Sequence, residues 1–361
     1  MKNSQAKQSY LKLIVCIISA VLAAVLCVAG FSACTTNQNS QIDYNDLYSN
    51  VDYGDVCYVI GHKHPDTDAT ASAIAYANLK QKLGVNCKAV VAGQLNNETK
   101  LALSKFNVDT PEQFTDAYGK KMILTDHSAY SLGVDGLDMC EVVEVLDHHA
   151  LGDMLTLDPG VVTFYPVGSS CSIVYLKYQQ CNVSISKDMA GIMLCAILSD
   201  TNNLTSSTTI DFDKKAVKEL ASIADVSDVD ALYNELYDQL SNYEGMDDES
   251  IYTLDYKEYV MNETNVCISD VKAKTSADAA ELKAKMMTAM QTLYPTQNME
   301  AMYCMIDCDE ENCTYILHYG KNSDEICKAA FGASQDIKLS PIAVRKSDVA
   351  PKLQEAYALA Y

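Results

Sequence analysis

Short apolar runs alternate with helix-like stretches through the first half of the chain, and this alternation limits the fold more than any other feature. The candidate strands cover 56–61, 87–92, 121–125 and 142–146. The candidate helices, in which apolar residues recur every three or four positions, cover 70–83, 170–178 and 189–198. Strands that alternate with helices are typical of a parallel sheet. We therefore predict an α/β fold with a doubly wound, mostly parallel N-terminal sheet.

A second, smaller unit follows an acidic, helical stretch at 211–249. Beyond it, apolar spacing predicts in order a strand, an amphipathic helix and two strands, at 258–268, 277–293, 301–306 and 314–319. These elements predict a smaller C-terminal α/β domain. We expect the first domain to cover 55–240 and the second to cover 241–361.

The first 33 residues have the charge and hydropathy pattern of a secretory signal. Three lysines and no acidic residue precede an apolar stretch at 13–30, and the sequence Phe-Ser-Ala-Cys that follows resembles a bacterial lipobox. We predict a signal peptide at 1–33, lipidation of Cys34 and a flexible linker at 34–54. The body of the protein would then be extracytoplasmic and anchored to the cell membrane as a lipoprotein. The alternative is an uncleaved helix, since the apolar stretch is just long enough to span a membrane.

The chain is strongly acidic, which argues against nucleic acid as a partner. Its 361 residues include 48 acidic and 27 basic side chains, for a formal net charge of -21. Nucleic-acid binding depends on Lys and Arg that neutralise phosphates, so we expect no nucleic-acid partner. Several of the 14 cysteines lie inside apolar runs, among them Cys57, Cys195 and Cys304. We predict that these are buried thiols rather than members of a disulfide framework.

Polar side chains that can bind metal follow the apolar runs. The segments are Gly-His-Lys-His-Pro-Asp-Thr-Asp-Ala at 61–69, Asp-His at 126–127, Asp-His-His at 147–149 and Ser-Asp at 199–200. Ligands of an open α/β sheet collect beyond the carboxyl ends of its strands, so these groups can converge on one cleft. Each group alone is as well explained by a solvated loop, with Asp68, for example, capping the next helix. The four groups together favour a metal site.

Together these segments resemble the DHH phosphoesterase superfamily. The matching motifs are G-H-x-x-P-D-x-D-A, T-D-H, D-H-H and L-S-D, which begin at Gly61, Thr125, Asp147 and Leu198. With G-Q-L-N-N-E-T at 93–99 and P-V-G at 166–168, the chain is similar, more narrowly, to the family II, manganese-dependent inorganic pyrophosphatases over 55–361. The resemblance implies an inorganic diphosphatase that hydrolyses pyrophosphate to two phosphates. It also implies a two-metal mechanism in which a water that bridges the metals is the nucleophile.

The resemblance further implies a role for each polar residue of these motifs. Six residues would bind two metal ions: His62 and Asp66 the first, Asp68, His148 and Asp200 the second, with Asp126 bridging both. His149 would face the phosphate without binding metal, and Asp147 would orient the neighbouring histidines. Carboxylates with imidazoles and no thiolate suit manganese, with cobalt or magnesium as alternatives. Additional magnesium would arrive with the substrate.

A basic pair, Arg345 and Lys346, stands late in the acidic second domain and matches a C-terminal Arg-Lys pair of the pyrophosphatases. Arg offers bidentate contacts to a compact polyanion and Lys a point charge. The resemblance therefore implies that this pair binds pyrophosphate as the second domain closes over the cleft. The family's further phosphate-binding lysine has no counterpart at 240–248. We therefore expect weaker substrate binding than is usual in the family.

Two other functions remain compatible with the residues. A DHH-type phosphodiesterase or oligonucleotide hydrolase would share the metal site, but such proteins usually carry a Gly-Gly-His motif that this sequence lacks. A non-catalytic lipoprotein that binds metal or phosphate would not need a complete site, whereas every metal position here is filled. The sequence therefore favours a membrane-tethered pyrophosphatase, and the relatives of the family suggest a homodimer.

Overall fold

Two β-sheets, one after the other along the chain, organise the protein in the computed structural model, which describes residue 44 and residues 46–156 and 158–360. The strands of the first sheet are β1 (Cys57–Ile60), β2 (Cys87–Val91), β3 (Glu112–Gln113), β4 (Lys121–Thr125), β5 (Glu141–Asp147) and β6 (Val161–Phe164). Their order is β3-β2-β1-β4-β5-β6, and all neighbouring strands are parallel. Both sheets belong to one compact unit that begins at Leu47.

Six helices belong to the part of the chain around the first sheet. They are α1 (Thr67–Lys82), α2 (Asn97–Lys105), α3 (Ser170–Gln180), α4 (Lys187–Asp200), α5 (Asp211–Ala224) and α6 (Val229–Leu240). Helix α1 is buried over most of its length because its alanines allow close approach to the end of β1. A Cβ atom at Gly61 would lie only 2.5 Å from the carbonyl oxygen of Ala69. This close approach brings the loop after β1 directly over the start of α1.

The second sheet is mixed. Its strands are β7 (Tyr256–Met261), β8 (Thr264–Ala273), β9 (Ala301–Cys308), β10 (Cys313–Gly320) and β11 (Ile337–Leu339), in the order β11-β10-β9-β8-β7. Only β8 and β9 are parallel to each other, and the remaining neighbours are antiparallel. The accompanying helices are α7 (Asp248–Thr253), α8 (Ser276–Leu293), α9 (Ser323–Phe331) and α10 (Ala350–Ala360). Side chains of α7 and α8 join one apolar cluster of the sheet, and side chains of α9 and α10 join another.

The predicted fold class is confirmed, but one strand prediction is wrong. The stretch 258–268 is not one strand, because the chain reverses at Asn262 and Glu263 and continues as β8. Both turn residues have left-handed backbone angles, with φ of 47° and 64°. Asparagine tolerates this conformation, but the stretch lacks the Asn-Gly or Asp-Gly pair that signals a tight hairpin. Apolar spacing therefore merged two strands into one.

The N-terminal predictions lie mostly outside the described residues, which exclude 1–33 and Cys34. Residues 46–54 of the predicted linker are described, and Tyr53 among them contacts the first domain. Lys80 Nζ donates to the Tyr53 hydroxyl at 2.6 Å, and that hydroxyl donates to the buried carboxylate of Glu144. A buried Lys–Glu pair needs further hydrogen bonds, and Tyr53 supplies them. Tyr53 therefore packs against the first domain, and the linker at 34–54 stays a prediction.

None of the described helices is long and apolar enough to cross a membrane. The cysteines among the described residues are free thiols, and all except Cys140 are buried.

Candidate metal centre

Side chains from four segments meet beyond the carboxyl ends of three adjacent parallel strands. The loop after β1 contributes His62 and Asp66, and Asp126 directly follows β4. His148 directly follows β5, and Asp200 is the last residue of α4. The structure thus brings together groups that are far apart in sequence, as the common edge of parallel strands requires.

Asp126 lies at the middle of this centre. Its Oδ2 atom is 3.3 Å from Nε2 of His62, and its Oδ1 atom is 3.2 Å from Nε2 of His148. Burial opposes ionisation, but the neighbouring imidazoles of His148 and His62 outweigh it and hold the pKa of Asp126 well below its usual range. The backbone is left-handed here, with φ of 64°, and is fixed by a 2.9 Å bond from the amide to the carbonyl of Leu146. One carboxylate therefore presents an oxygen to each of two histidines.

The first donor group consists of His62, Asp66 and Asp126. Oδ2 of Asp66 lies 3.3 Å from Nε2 of His62, whereas Oδ1 accepts a 2.8 Å hydrogen bond from the amide of Ala69. That bond caps α1, so the helix cap is Asp66 and not Asp68. The cap leaves one Asp66 oxygen directed at the histidine.

The second donor group consists of Asp68, Asp126, His148 and Asp200. Asp68 is completely buried and accepts hydrogen bonds from the Ser169 hydroxyl at 2.6 Å and from the amides of Ser170 and Cys171 at 2.6 and 2.9 Å. These donors begin α3, so the start of a helix holds the carboxylate. Burial and the charge of Asp126 still raise the pKa of Asp68 to about 6, and burial raises that of Asp200 well above its usual range.

The arrangement fits a divalent metal. Nε2 of His148 is buried and has no hydrogen-bond partner among the described residues, although Oδ2 of Asp200 lies 3.4 Å away. Its Nδ1 lies 3.1 Å from the carbonyl oxygen of Val167, which favours a proton on Nδ1 and a lone pair on Nε2. Carboxylates this close together repel one another unless a cation lies among them. Hard oxygen donors with imidazole suit a divalent ion of the manganese or magnesium type.

His149 borders the same centre, with its Nδ1 3.5 Å from Oδ1 of Asp126, and it forms a further possible donor group with Asp126 and His148. Oδ1 of Asp147 accepts from the His149 amide at 3.0 Å and lies 2.9 Å from its Nδ1, so the carboxylate fixes the ring. Nε2 of His149 lies 3.5 Å from the ammonium nitrogen of Lys257 in the second sheet. The ring is therefore oriented on one side by Asp147 and turned towards the cleft on the other.

Lys257 is a cation that the sequence prediction missed. It supplies positive charge to the cleft from outside the stretch 240–248, where the family's further lysine has no counterpart. Lys346 also reaches the centre, with Nζ 3.3 Å from Nδ1 of His148. The guanidinium of Arg345, in contrast, donates to Asp255 and to the carbonyl of Ile268 within the second sheet. Two lysines thus border the metal centre, and the arginine lies beside an acidic partner.

Glu98 is a second residue to which the sequence prediction gave no role. Its buried carboxylate accepts hydrogen bonds from the hydroxyls of Thr67 at 2.6 Å and Ser199 at 2.9 Å. These partners immediately precede Asp68 and Asp200. Burial raises the pKa of Glu98 to about 7. The predicted motif at 93–99 contained this residue, but no spacing rule connects it with the strand ends.

Comparison with known proteins gives the same picture. Residues 56–197 match the DHH family, N-terminal domain, and residues 234–356 match the DHHA2 domain. A probable manganese-dependent inorganic pyrophosphatase of Archaeoglobus fulgidus is 33% identical over 318 residues, which cover 84% of this chain and 98% of that protein. The manganese-dependent inorganic pyrophosphatase of Methanothrix thermoacetophila is 32% identical, with 84% and 99% covered. A Methanococcus jannaschii protein assigned to the family II inorganic pyrophosphatases has a similar crystal structure, with a TM-score of 0.78, 30% identity, and 84% and 99% covered.

These relatives contradict the predicted extracytoplasmic, lipid-anchored location. Alignment with 84% of this chain accounts for 98% of the Archaeoglobus protein and 99% of the Methanothrix protein. Neither relative has length to spare for a leader and anchor like 1–34. The location prediction is therefore wrong, because it depended on a local charge and hydropathy pattern that precedes the fold.

The agreement with the relatives extends well beyond the motifs around the metal centre. Identity above 30% runs through more than four fifths of this chain and through nearly the whole length of each relative. A shared fold alone does not require identity this extensive. The chain belongs to the family of manganese-dependent inorganic pyrophosphatases.

Proposed function

We propose that this protein hydrolyses inorganic pyrophosphate to two phosphates with two manganese ions held in the metal centre. One observation carries the proposal: Asp126 presents one carboxylate oxygen to His62 and the other to His148. A carboxylate shared in this way suits two ions a few ångströms apart, as in enzymes that transfer phosphoryl groups. The relatives named as manganese-dependent pyrophosphatases support manganese and pyrophosphate over other choices.

The proposed ligands are those predicted from the sequence. His62 and Asp66 would hold one ion, and Asp126 would bridge it to a second ion held by Asp68, His148 and Asp200. When bound, the ions supply Lewis acidity and lower the pKa of a water that serves as the nucleophile. Cobalt or magnesium would fit the same donors.

The remaining polar residues would act on the substrate. His149, whose Nδ1–H is fixed by Asp147, would as the imidazolium donate a hydrogen bond or proton from Nε2 to a phosphate oxygen. Lys257 and Lys346 would neutralise charge on the pyrophosphate. Arg345 would assist them, since its contacts with Asp255 and Ile268 use only part of its five N–H donors. Hydrolysis breaks the bond between one phosphorus atom and the oxygen that joins the two phosphates. A new bond forms between that phosphorus atom and the oxygen of the attacking water.

We also propose that the domains divide at 55–240 and 241–361. The DHH match ends at residue 197 and the DHHA2 match begins at residue 234, and α6, which lies between the two sheets in the chain, ends at Leu240. Additional magnesium with the substrate and a homodimer stay predictions.

The test is phosphate release by the purified protein with manganese. We expect phosphate from pyrophosphate and no mononucleotides from a 5′-phosphorylated dinucleotide assayed in parallel. Mononucleotide release from the dinucleotide, without phosphate release from pyrophosphate, would support the phosphodiesterase instead. Manganese binding without hydrolysis of either compound would support a non-catalytic binding protein.

A further inference from the structure

The loop after β1 reaches the edge strand of the second sheet. Nζ of Lys63 lies 2.8 Å from Oε2 of Glu258, and both side chains are partly buried. The ring of His64 packs edge-on against Tyr256, with 4.9 Å between ring centroids and an angle of 71°. Lys63 and His64 follow the proposed ligand His62, but neither belongs to the donor groups. They form a contact between the two sheets that the proposed chemistry does not use.

Lys257 stands between the two residues that this loop contacts. Side chains alternate along a strand, so Tyr256 and Glu258 share one face of β7 and Lys257 is on the other. The loop therefore holds one face of β7 while the ammonium on the opposite face lies 3.5 Å from Nε2 of His149. The position of the lysine depends on the position of the strand.

The loop has the fixed shape that such a contact needs. The amide of Lys63 donates to the carbonyl of Leu132 at 2.8 Å. A Cβ atom at Gly93 would lie 2.6 Å from the carbonyl oxygen of Lys63 and 2.9 Å from Cδ of Pro65, so only glycine allows the loop this close. Strand β7, in contrast, pairs with β8 alone among the described strands. An edge strand with one neighbour gains a second support from the loop.

We propose that Lys63 and His64 are positioning residues that set β7 so that Lys257 reaches a phosphate group beside His149. The proposal rests on the proposed pyrophosphatase function and assigns to this chain the residues that align one substrate-binding lysine. A lysine ammonium is a point charge on a flexible stem, so its backbone must be placed accurately for it to bind. Loss of the contact should weaken pyrophosphate binding and leave the metal centre intact.

The test compares Lys63→Met, Glu258→Gln and the exchanged pair Lys63→Glu with Glu258→Lys. We expect each single variant to raise the KM for pyrophosphate about threefold to fivefold, the ratio typical of a partly exposed ion pair. We expect kcat and manganese content to stay at wild-type values. The exchanged pair should recover most of the wild-type KM. The double variant Lys63→Met with Lys257→Met should have the same KM as Lys257→Met alone, because the loop acts through Lys257.

A control variant, Lys105→Met, removes a comparable 2.6 Å ion pair with Glu235 and should leave KM unchanged. Equilibrium binding of imidodiphosphate, in which nitrogen replaces the bridging oxygen of pyrophosphate, should follow the same order as KM. An unchanged KM in both single variants of an active enzyme would overturn the positioning role. Loss of kcat together with manganese, or failure of the exchanged pair to restore KM, would also overturn it. A wild-type protein without pyrophosphate hydrolysis would instead refute the proposed function on which the role depends.

Discussion

The ammonium nitrogen of Lys257 lies 3.5 Å from Nε2 of His149, although the two residues are 108 positions apart and belong to different sheets. The second sheet therefore delivers a positive charge to the point where the first sheet presents its cleft-facing histidine. Lys257 is nearly buried, so its charge is poorly screened by solvent. A phosphate group placed between these residues would contact both.

Lys257→Met should weaken substrate binding more than it slows the chemical step. A charge-assisted hydrogen bond is worth about 1.5–3 kcal/mol, so we expect the KM for pyrophosphate to rise about tenfold to a hundredfold. Steady-state kinetics with manganese would measure the change. Lys187→Met, which alters an exposed lysine, is the matched control. An unchanged KM would indicate that Arg345 and Lys346, rather than Lys257, contact the phosphate.

Asp126→Asn and Asp200→Asn should differ in the amount of metal that they lose. Asp126 faces both donor groups, whereas Asp200 belongs to one. We expect Asp126→Asn to bind fewer than one manganese ion per chain and Asp200→Asn to keep about one, with activity lost in both. Elemental analysis after removal of free metal would show this. Asp158→Asn, at an exposed position, should retain the wild-type content, and equal losses in the first two variants would exclude a bridging role for Asp126.

His149→Gln should slow turnover while both ions remain. Glutamine can donate a hydrogen bond but cannot transfer a proton, and general acid–base groups typically contribute about a hundredfold to ten-thousandfold. We expect kcat to fall within this range at unchanged manganese content. Parallel kinetics and elemental analysis would separate this role from metal binding. Loss of an ion from the variant would mean that His149 is itself a ligand.

Glu98 should make stability depend on pH. Burial raises its pKa from 4.5 to about 7, so the folded protein binds this proton more tightly than the unfolded chain. Its contribution is most favourable below pH 4.5 and is lost as pH rises through about 7, by about 3 kcal/mol in total. Glu98→Gln keeps an oxygen for the Thr67 and Ser199 hydroxyls and removes the charge. In denaturant unfolding of the metal-free proteins, the free energy of unfolding of Glu98→Gln should therefore rise relative to that of the wild type between pH 5 and pH 8. A difference in unfolding free energy that does not change with pH would contradict this.

Sequence analysis predicted correctly which residues lie close together where the fold class itself determines their positions. The carboxyl ends of parallel strands share one edge, so His62, Asp126 and His148 had to approach one another once the strands were recognised. Lys257 follows no such rule. It lies in a strand that apolar spacing merged with its neighbour, and its target lies across the cleft. Glu98 was missed for a related reason, because its hydroxyl partners are revealed only when α1, α2 and α4 pack together.

The order of these residues along the chain has a consequence for biosynthesis. All proposed metal ligands lie between His62 and Asp200, whereas the cleft lysines are Lys257 and Lys346. A growing chain emerges from the ribosome N-terminus first, and domains generally fold as they are completed. The carboxylate cluster is therefore finished while the cations that border it are still untranslated. A newly made chain can thus bind its metal ions in the proposed metal centre before the second sheet has formed beside that centre.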